Sequence, residues 1–224
     1  MESSEEKYIG KIMISEVFNE DCMIGMARYP DKYFDLAIVD PPYGIGDFTK
    51  VGDANFYKKR SEKKYGKAHW NNKIPSKEYF DELLRVSKNR IIWGANYYWQ
   101  FIPEKNFIVW YKKNDSSRWS KCEIASTTIG VNNFIELEWN GFKRCEPTNR
   151  IHPTQKPVKL YDRILRDYAK VGDKILDTHM GSQSSRISSY KNGFDYWGFE
   201  IDKTYFDDGC KRFEIFKSQG VLAL

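Results

Sequence analysis

Paired cysteines are missing. The four cysteines of this 224-residue chain, Cys22, Cys122, Cys145 and Cys210, are scattered and form no CxxC pair. That argues against both a disulfide framework and a zinc site, and it suggests a reducing cytoplasm. No apolar run approaches the ~20 residues of a membrane span. The opening MESSEEK is acidic and polar, so a secretory signal is not expected there. Internal repeats, low-complexity tracts and obvious linkers are absent too. What remains is a globular composition, 41% hydrophobic and 16% aromatic, at a length that suits one domain over residues 1–224.

Charge is uneven along the chain. The formal net charge is +5, and residues 44–75 account for all of it, with eight basic side chains against three acidic ones. Lys58, Lys59, Arg60, Lys63 and Lys64 lie in that stretch, interleaved with Phe48, Phe56, Tyr57, Tyr65 and Trp70. Such a segment can track phosphates and stack on bases, or it can be a solvated loop whose charge aids solubility.

Apolar segments of two periods alternate, which predicts an α/β fold. Strands are expected at Lys11–Ser15, Phe34–Val39, Arg90–Trp93, Phe107–Tyr111, Lys174–Asp177 and Tyr196–Ile201. Phe134–Trp139 and Phe142–Cys145, joined by Asn140-Gly141, read as a hairpin because Asn-Gly suits a two-residue turn. Helices are expected at Ser76–Ser87, from Pro157 with an end at Gly172, at Ser184–Lys191 and at Lys203–Lys217.

Two stretches carry chemistry. In IVDPPYGIG the apolar strand stops on Asp40, because prolines cannot continue a ladder. In KILDTHMGSQSSRISSYKNGFDYWGFEID a strand ends at Asp177, a loop holds Gly181, and a second strand ends at Glu200, 23 residues on. Mononucleotide-type folds place an acid roughly 20 residues on to bind a ribose diol. A pyrophosphate cradle needs several glycines, and GxGxxG is absent from this loop. A nucleoside without a pyrophosphate, such as S-adenosylmethionine, therefore fits better, with Asp177 able to pair with its amino group. An ordinary strand-to-helix connection fits this segment equally well.

Together the two stretches resemble the amino-group DNA methyltransferases, which methylate adenine N6 or cytosine N4. Asp40, Pro41, Pro42 and Tyr43 match that family's [D/N/S]-P-P-[Y/F/W] catalytic signature. The catalytic motif precedes the cofactor loop, which is similar to the circularly permuted β subgroup. Asn19–Met23 (NEDCM) resembles its acid–Cys pair, which implies Asp21 and Cys22 near the cofactor. HPTQKP (His152–Pro157) resembles its H-x-x-x-K-P box and implies Lys156 near the methionine end, while Phe199–Asp202 (FEID) implies Glu200 and Asp202 on the ribose side. The resemblance spans roughly Ile14 to Tyr205. It implies a Rossmann-like fold with a mixed, mostly parallel sheet and helices on both faces, with S-adenosylmethionine as cofactor, DNA as partner and no metal. A monomer and a homodimer both stay open.

The chain departs from the family at the cofactor loop, which reads DTHMGSQ where D-P-F-x-G-S-G is usual. His179 then stands where an aromatic ring packs on the cofactor, and Gly181 and Ser182 are kept. Gln183 replaces a glycine and is expected to disturb the loop's backbone. The region between Ile124 and Ile151, where relatives insert a recognition module, is short, as would suit a phage or prophage enzyme. Within residues 130–152 the hairpin, with Lys143 and Arg144, is the candidate for reading DNA sequence, or else it is an ordinary sheet edge. Trp93 and Asn96 are candidates for the base pocket.

The resemblance gives the diproline a purpose. An exocyclic base amine is a poor nucleophile because its lone pair is delocalised into the ring. Asp40 and the Pro41 carbonyl would accept its two N–H groups, the rigid backbone pre-aiming the carbonyl. Tyr43 offers a stacking face for a base flipped out of the duplex. Asp in the first motif position favours adenine N6. Cytosine N4, RNA adenine and a binder that has lost catalysis are the alternatives.

Overall fold

The computed structural model describes residues 13–46, 69–114, 120–139, 145–146 and 150–220. Its strands are β1 (Ser15–Phe18), β2 (Phe34–Val39), β3 (Ser87–Trp93), β4 (Asn106–Tyr111), β5 (Cys122–Thr127), β6 (Asn133–Glu136), β7 (Lys174–Asp177) and β8 (Asp195–Phe199). The helices are α1 (Cys22–Met26), α2 (Lys77–Val86), α3 (Val158–Tyr168), α4 (Ser184–Lys191) and α5 (Lys203–Ser218). Short 3₁₀ turns occupy His69–Asn72 and Ala95–Tyr97.

The strands form one sheet in the order β1-β8-β7-β2-β3-β5-β4-β6. Every pairing is parallel except those of β5, which runs antiparallel to both β3 and β4. The first residues of β5 therefore lie at the same end of the sheet as the carboxyl ends of its neighbours. β2 is apolar almost throughout because both of its faces are covered. Leu36 and Ile38 face a core with Leu160, Ile164 and Leu165 of α3, while Ala37 and Val39 face Phe80, Leu83 and Val86 of α2. Burying each such side chain is worth about 1.5–3 kcal/mol, so the apolar stripes of α2 and α3 fix both helices against the sheet.

β2, β7 and α4 have the bounds expected of them. β1 begins where a strand was expected to end, because pairing with β8 sets its register from Ser15↔Tyr196 onward. Pro157 precedes α3 as its cap, in extended backbone, instead of entering the first turn. Gly172 does not end α3, which stops at Tyr168; at φ 90° it turns the chain into β7. β6 pairs in parallel with β4, and the Cys145 N–H donates to the Glu138 carbonyl at 2.9 Å. The Asn140-Gly141 turn lies outside the described residues. β5 and α1 were not expected.

Candidate active site

Asp40 follows β2 at the carboxyl end of the sheet, beside the end of β7, where Leu36 and Ala37 pair with Ile175 and Leu176. Open α/β sheets bind ligands at such an end. The hydroxyl of buried Tyr98 lies 2.7 Å from both the Pro41 and Pro42 carbonyl oxygens, so one proton serves two acceptors and fixes their direction. The loop after the diproline is pinned by Asn71, whose side chain accepts from the Tyr43 N–H and donates to the Gly46 carbonyl, both at 2.9 Å. The Tyr43 ring stacks on Tyr97 at 5.0 Å. This needs Gly94 (φ +75°), since a Cβ there would stand 2.3 Å from the ring.

Charges in this half are paired. The Tyr43 hydroxyl donates to Asp40 Oδ1 at 2.6 Å. Burial, then Asp40 and Glu123, push its phenol well above the ordinary value. Lys156 enters from just before α3, only 4% exposed, and bonds to Asp40 Oδ2. Its Nζ is also 3.1 Å from Glu123 Oε2, and the other Glu123 oxygen accepts from Lys112. Burial would raise the Glu123 carboxyl, but Lys156 and Lys112 outweigh it and hold it at about 2. Burial likewise works against the Lys156 charge, and Asp40 and Glu123 outweigh it, so this ammonium is held above its ordinary range. Lys156, expected beside a cofactor, is thus engaged by two acids. Trp93 is fully buried beneath it, 5.3 Å from the ammonium, and packs in the core; Asn96 is exposed.

The other half holds acids without cations. The Asp177 carboxylate accepts from the His179 N–H at 3.0 Å and the Ser185 hydroxyl at 2.5 Å. Burial pushes its pKa up to about 7 against those two bonds, with Asp40 and Glu200 adding to the rise. Among the described residues no lysine or arginine pairs with it. Glu200 accepts from the N–H groups of Gly181 and Asp202, both at 2.9 Å, and burial raises its pKa as well. The His179 ring packs edge-on against Tyr79 at 5.4 Å, its Nδ1 lies 2.9 Å from the Thr178 hydroxyl, and burial lowers its pKa to about 4. It is a neutral packing ring at physiological pH.

Two acids serve helices. Asp21 caps α1 by accepting from the Met23 N–H, and Asp202 caps α5 by accepting from those of Thr204 and Tyr205. The Cys22 thiol, half-buried, is pushed up to about 12 by burial and then Asp21, so it is no nucleophile. Gln183 keeps the left-handed backbone that a glycine would adopt, with φ 58°. Its fully buried side chain donates to the Phe206 carbonyl and lies 3.3 Å from Cys210 Sγ, and it accepts from Arg186 at 2.9 Å. Gly209 leaves room for it; a Cβ there would come within 2.7 Å. The expected disturbance of the loop is therefore met by anchoring to α5.

Glu123 escaped the sequence reading because β5 did, and Lys112, just past β4, gave no signal without its partner. Lys58, Lys59, Arg60, Lys63, Lys64, Lys143 and Arg144 lie outside the described residues.

Known proteins resemble this one along most of its length. The type II methyltransferase M2.DpnII of Streptococcus pneumoniae is 24% identical over 96% of this chain and 98% of its own. The DNA adenine methyltransferase YhdJ of Escherichia coli K12 is 22% identical over 89% and 82%. Among solved structures, the M1.HpyAVI–SAM complex superposes with a TM-score of 0.58 at 19% identity, covering 88% of this chain and 98% of its own. The cytosine-N4-specific PvuII DNA methyltransferase gives 0.61 at 11% identity, over 92% of both chains. These likenesses show the α/β methyltransferase fold. The family model described as DNA methylase, of the N6/N4 methyltransferases, matches residues 84–211, more than half of the sequence, and the chain belongs to that family.

Proposed function

We propose that this DNA methylase transfers the methyl group of S-adenosylmethionine to the exocyclic N6 amine of an adenine flipped out of DNA, in the cytoplasm and as one catalytic domain. The observation that carries the reading is the Asp40–Pro41 pair, an acid and a fixed carbonyl together at the carboxyl end of β2. These two acceptors suit the two N–H groups of one amine. Binding both aims the nitrogen lone pair outward, and Tyr98 spares the carbonyls reorganisation during reaction. Relatives named as type II and DNA adenine methyltransferases support the choice of DNA and adenine.

The cofactor residues fit their group by the chemistry of their donors. Asp177, buried with no cation, suits a ligand ammonium. Glu200 beside the Gly181 N–H suits a ribose diol, and Asp21, Cys22, His179 and Ser182 border the same loop region. When bound, S-adenosylmethionine supplies a sulfonium-activated methyl group. The chain's own part is to orient the amine and exclude water, which accounts for most of the rate in a positioned displacement. The basic stretch 44–75 would follow DNA phosphates, and residues 130–152, with Lys143 and Arg144, would read sequence.

The test is mass spectrometry of nucleosides from unmethylated DNA incubated with protein and S-adenosylmethionine, alongside Asp40→Ala. N6-methyladenine with wild type alone is the expected result. N4-methylcytosine would keep the clamp and overturn the base. No modified base on DNA would overturn the reading.

A further inference from the structure

Three groups converge on Glu123: the Lys156 ammonium at 3.1 Å, the Lys112 ammonium, and the Tyr43 hydroxyl at 3.4 Å. It comes from the only strand that reverses the sheet among the described residues, and the reversal brings its start to the cleft. The indoles of Trp93 and Trp110 lie edge to face, 6.1 Å apart, with Lys156 5.3 Å from the first and Lys112 5.1 Å from the second. Asp40, Lys156, Glu123 and Lys112 thus form a row of alternating sign on an aromatic floor.

The order of that row matters to the acid at its end. Asp40 already takes the Tyr43 hydroxyl on one oxygen and Lys156 on the other. An ammonium attracted by Asp40 alone would compete with any amine seeking the same oxygens. Shared with Glu123, it is drawn partly off Asp40, whose two oxygens each keep a further lone pair for an amine.

We propose that Glu123 is a positioning residue for methyl transfer: it shares the Lys156 ammonium with Asp40 and so leaves Asp40 oriented yet open to the substrate amine. The inference rests on the methyl-transfer reading above. It predicts an effect on the saturated rate and not on cofactor affinity, because Glu123 touches neither Asp177 nor Glu200.

The experiment measures single-turnover methylation of DNA at saturating S-adenosylmethionine, with cofactor affinity by calorimetry, for wild type, Glu123→Gln, Glu123→Asp, Lys156→Met and the Glu123→Gln/Lys156→Met pair. Glu123→Gln should slow the saturated rate by about 10–100-fold, the range for lost supporting partners of reactive groups, with cofactor affinity within about twofold. Glu123→Asp, with the charge kept and the reach shortened, should fall between it and wild type. The double variant should be no slower than Lys156→Met, since Glu123 acts through Lys156. A wild-type rate in Glu123→Gln, a loss confined to cofactor affinity, or multiplying losses in the pair would each overturn the proposal. If Glu123→Gln does not fold, Glu123→Asp decides: a slower saturated rate supports the role, and an unchanged one refutes it. An inactive wild type would refute the methyl-transfer reading; an active one with an unaffected Glu123→Gln would refute only the positioning role.

Discussion

Asp40 and Asp177 stand at the ends of two neighbouring strands, yet their surroundings differ. Asp40 shares a lysine with a second acid and takes a tyrosine hydroxyl. Asp177 has a serine hydroxyl and one backbone N–H, and its pKa is pushed up to about 7. Burying a charge without a partner is costly, whereas breaking a buried pair costs several kcal/mol. The paired acid is already oriented, while the unpaired one stores a cost that a cationic ligand would relieve. On the proposed reading, a preformed clamp and a site completed by its ligand thus sit side by side.

Removing each acid tests that contrast. Asp40→Ala should lower the methylation rate by at least about 10²–10³-fold, the scale of a lost transition-state contact, with cofactor affinity almost unchanged. Equal losses in both would mean that the halves are not separable.

Asp177→Asn should do the opposite, weakening S-adenosylmethionine binding by about 10–100-fold, the equivalent of one charge-assisted hydrogen bond. It should also raise the melting temperature of the ligand-free protein above pH 7. The sign follows from the raised pKa. Between about 4 and 7 the folded state holds a proton that the unfolded state has released, so stability falls as pH rises through that window and the asparagine abolishes the fall. Cofactor affinity in the wild type should rise with pH up to about 7. A pH-independent affinity from pH 5 to 8 would remove Asp177 from the ammonium site.

Smaller effects sharpen the picture. Tyr98→Phe strips the donor from two carbonyls and should cost about 1–3 kcal/mol of stability, read by denaturant unfolding, with a lower rate at unchanged cofactor affinity. Gln183→Gly frees a residue held at positive φ, worth about 1 kcal/mol, but loses buried bonds to α5 and leaves a gap against Gly209. The net should be a modest destabilisation. A gain in stability would show that the strain outweighs the anchoring.

The apolar runs of β2 and β7 and the punctuation around them were legible because burial on both faces leaves a continuous apolar signature. DPPY and the cofactor loop could be placed on strand ends for the same reason. β5 was not legible, since CEIAST mixes polar and apolar residues without a period and is a strand only because β3 and β4 pair with it on both sides. Glu123 was lost with it. Asp202 and Asp21 read as ligand acids in sequence, and their second role, capping helices, shows only in the backbone donors in front of them. Gln183 looked like a defect until its partners on α5 and the space at Gly209 could be seen.

The reversal of β5 also bears on how such a scaffold can change its target. Parallel strands offer the cleft only the segments that leave their tops. A strand inserted head-down offers the segment that enters it as well, so Lys112, just past β4, and Glu123, near the start of β5, meet at the cleft. Residues between Lys112 and Lys121, beyond the last backbone bond between β4 and β5, could be exchanged without disturbing a rung of the ladder. Selectivity could then diversify there independently of the chemistry.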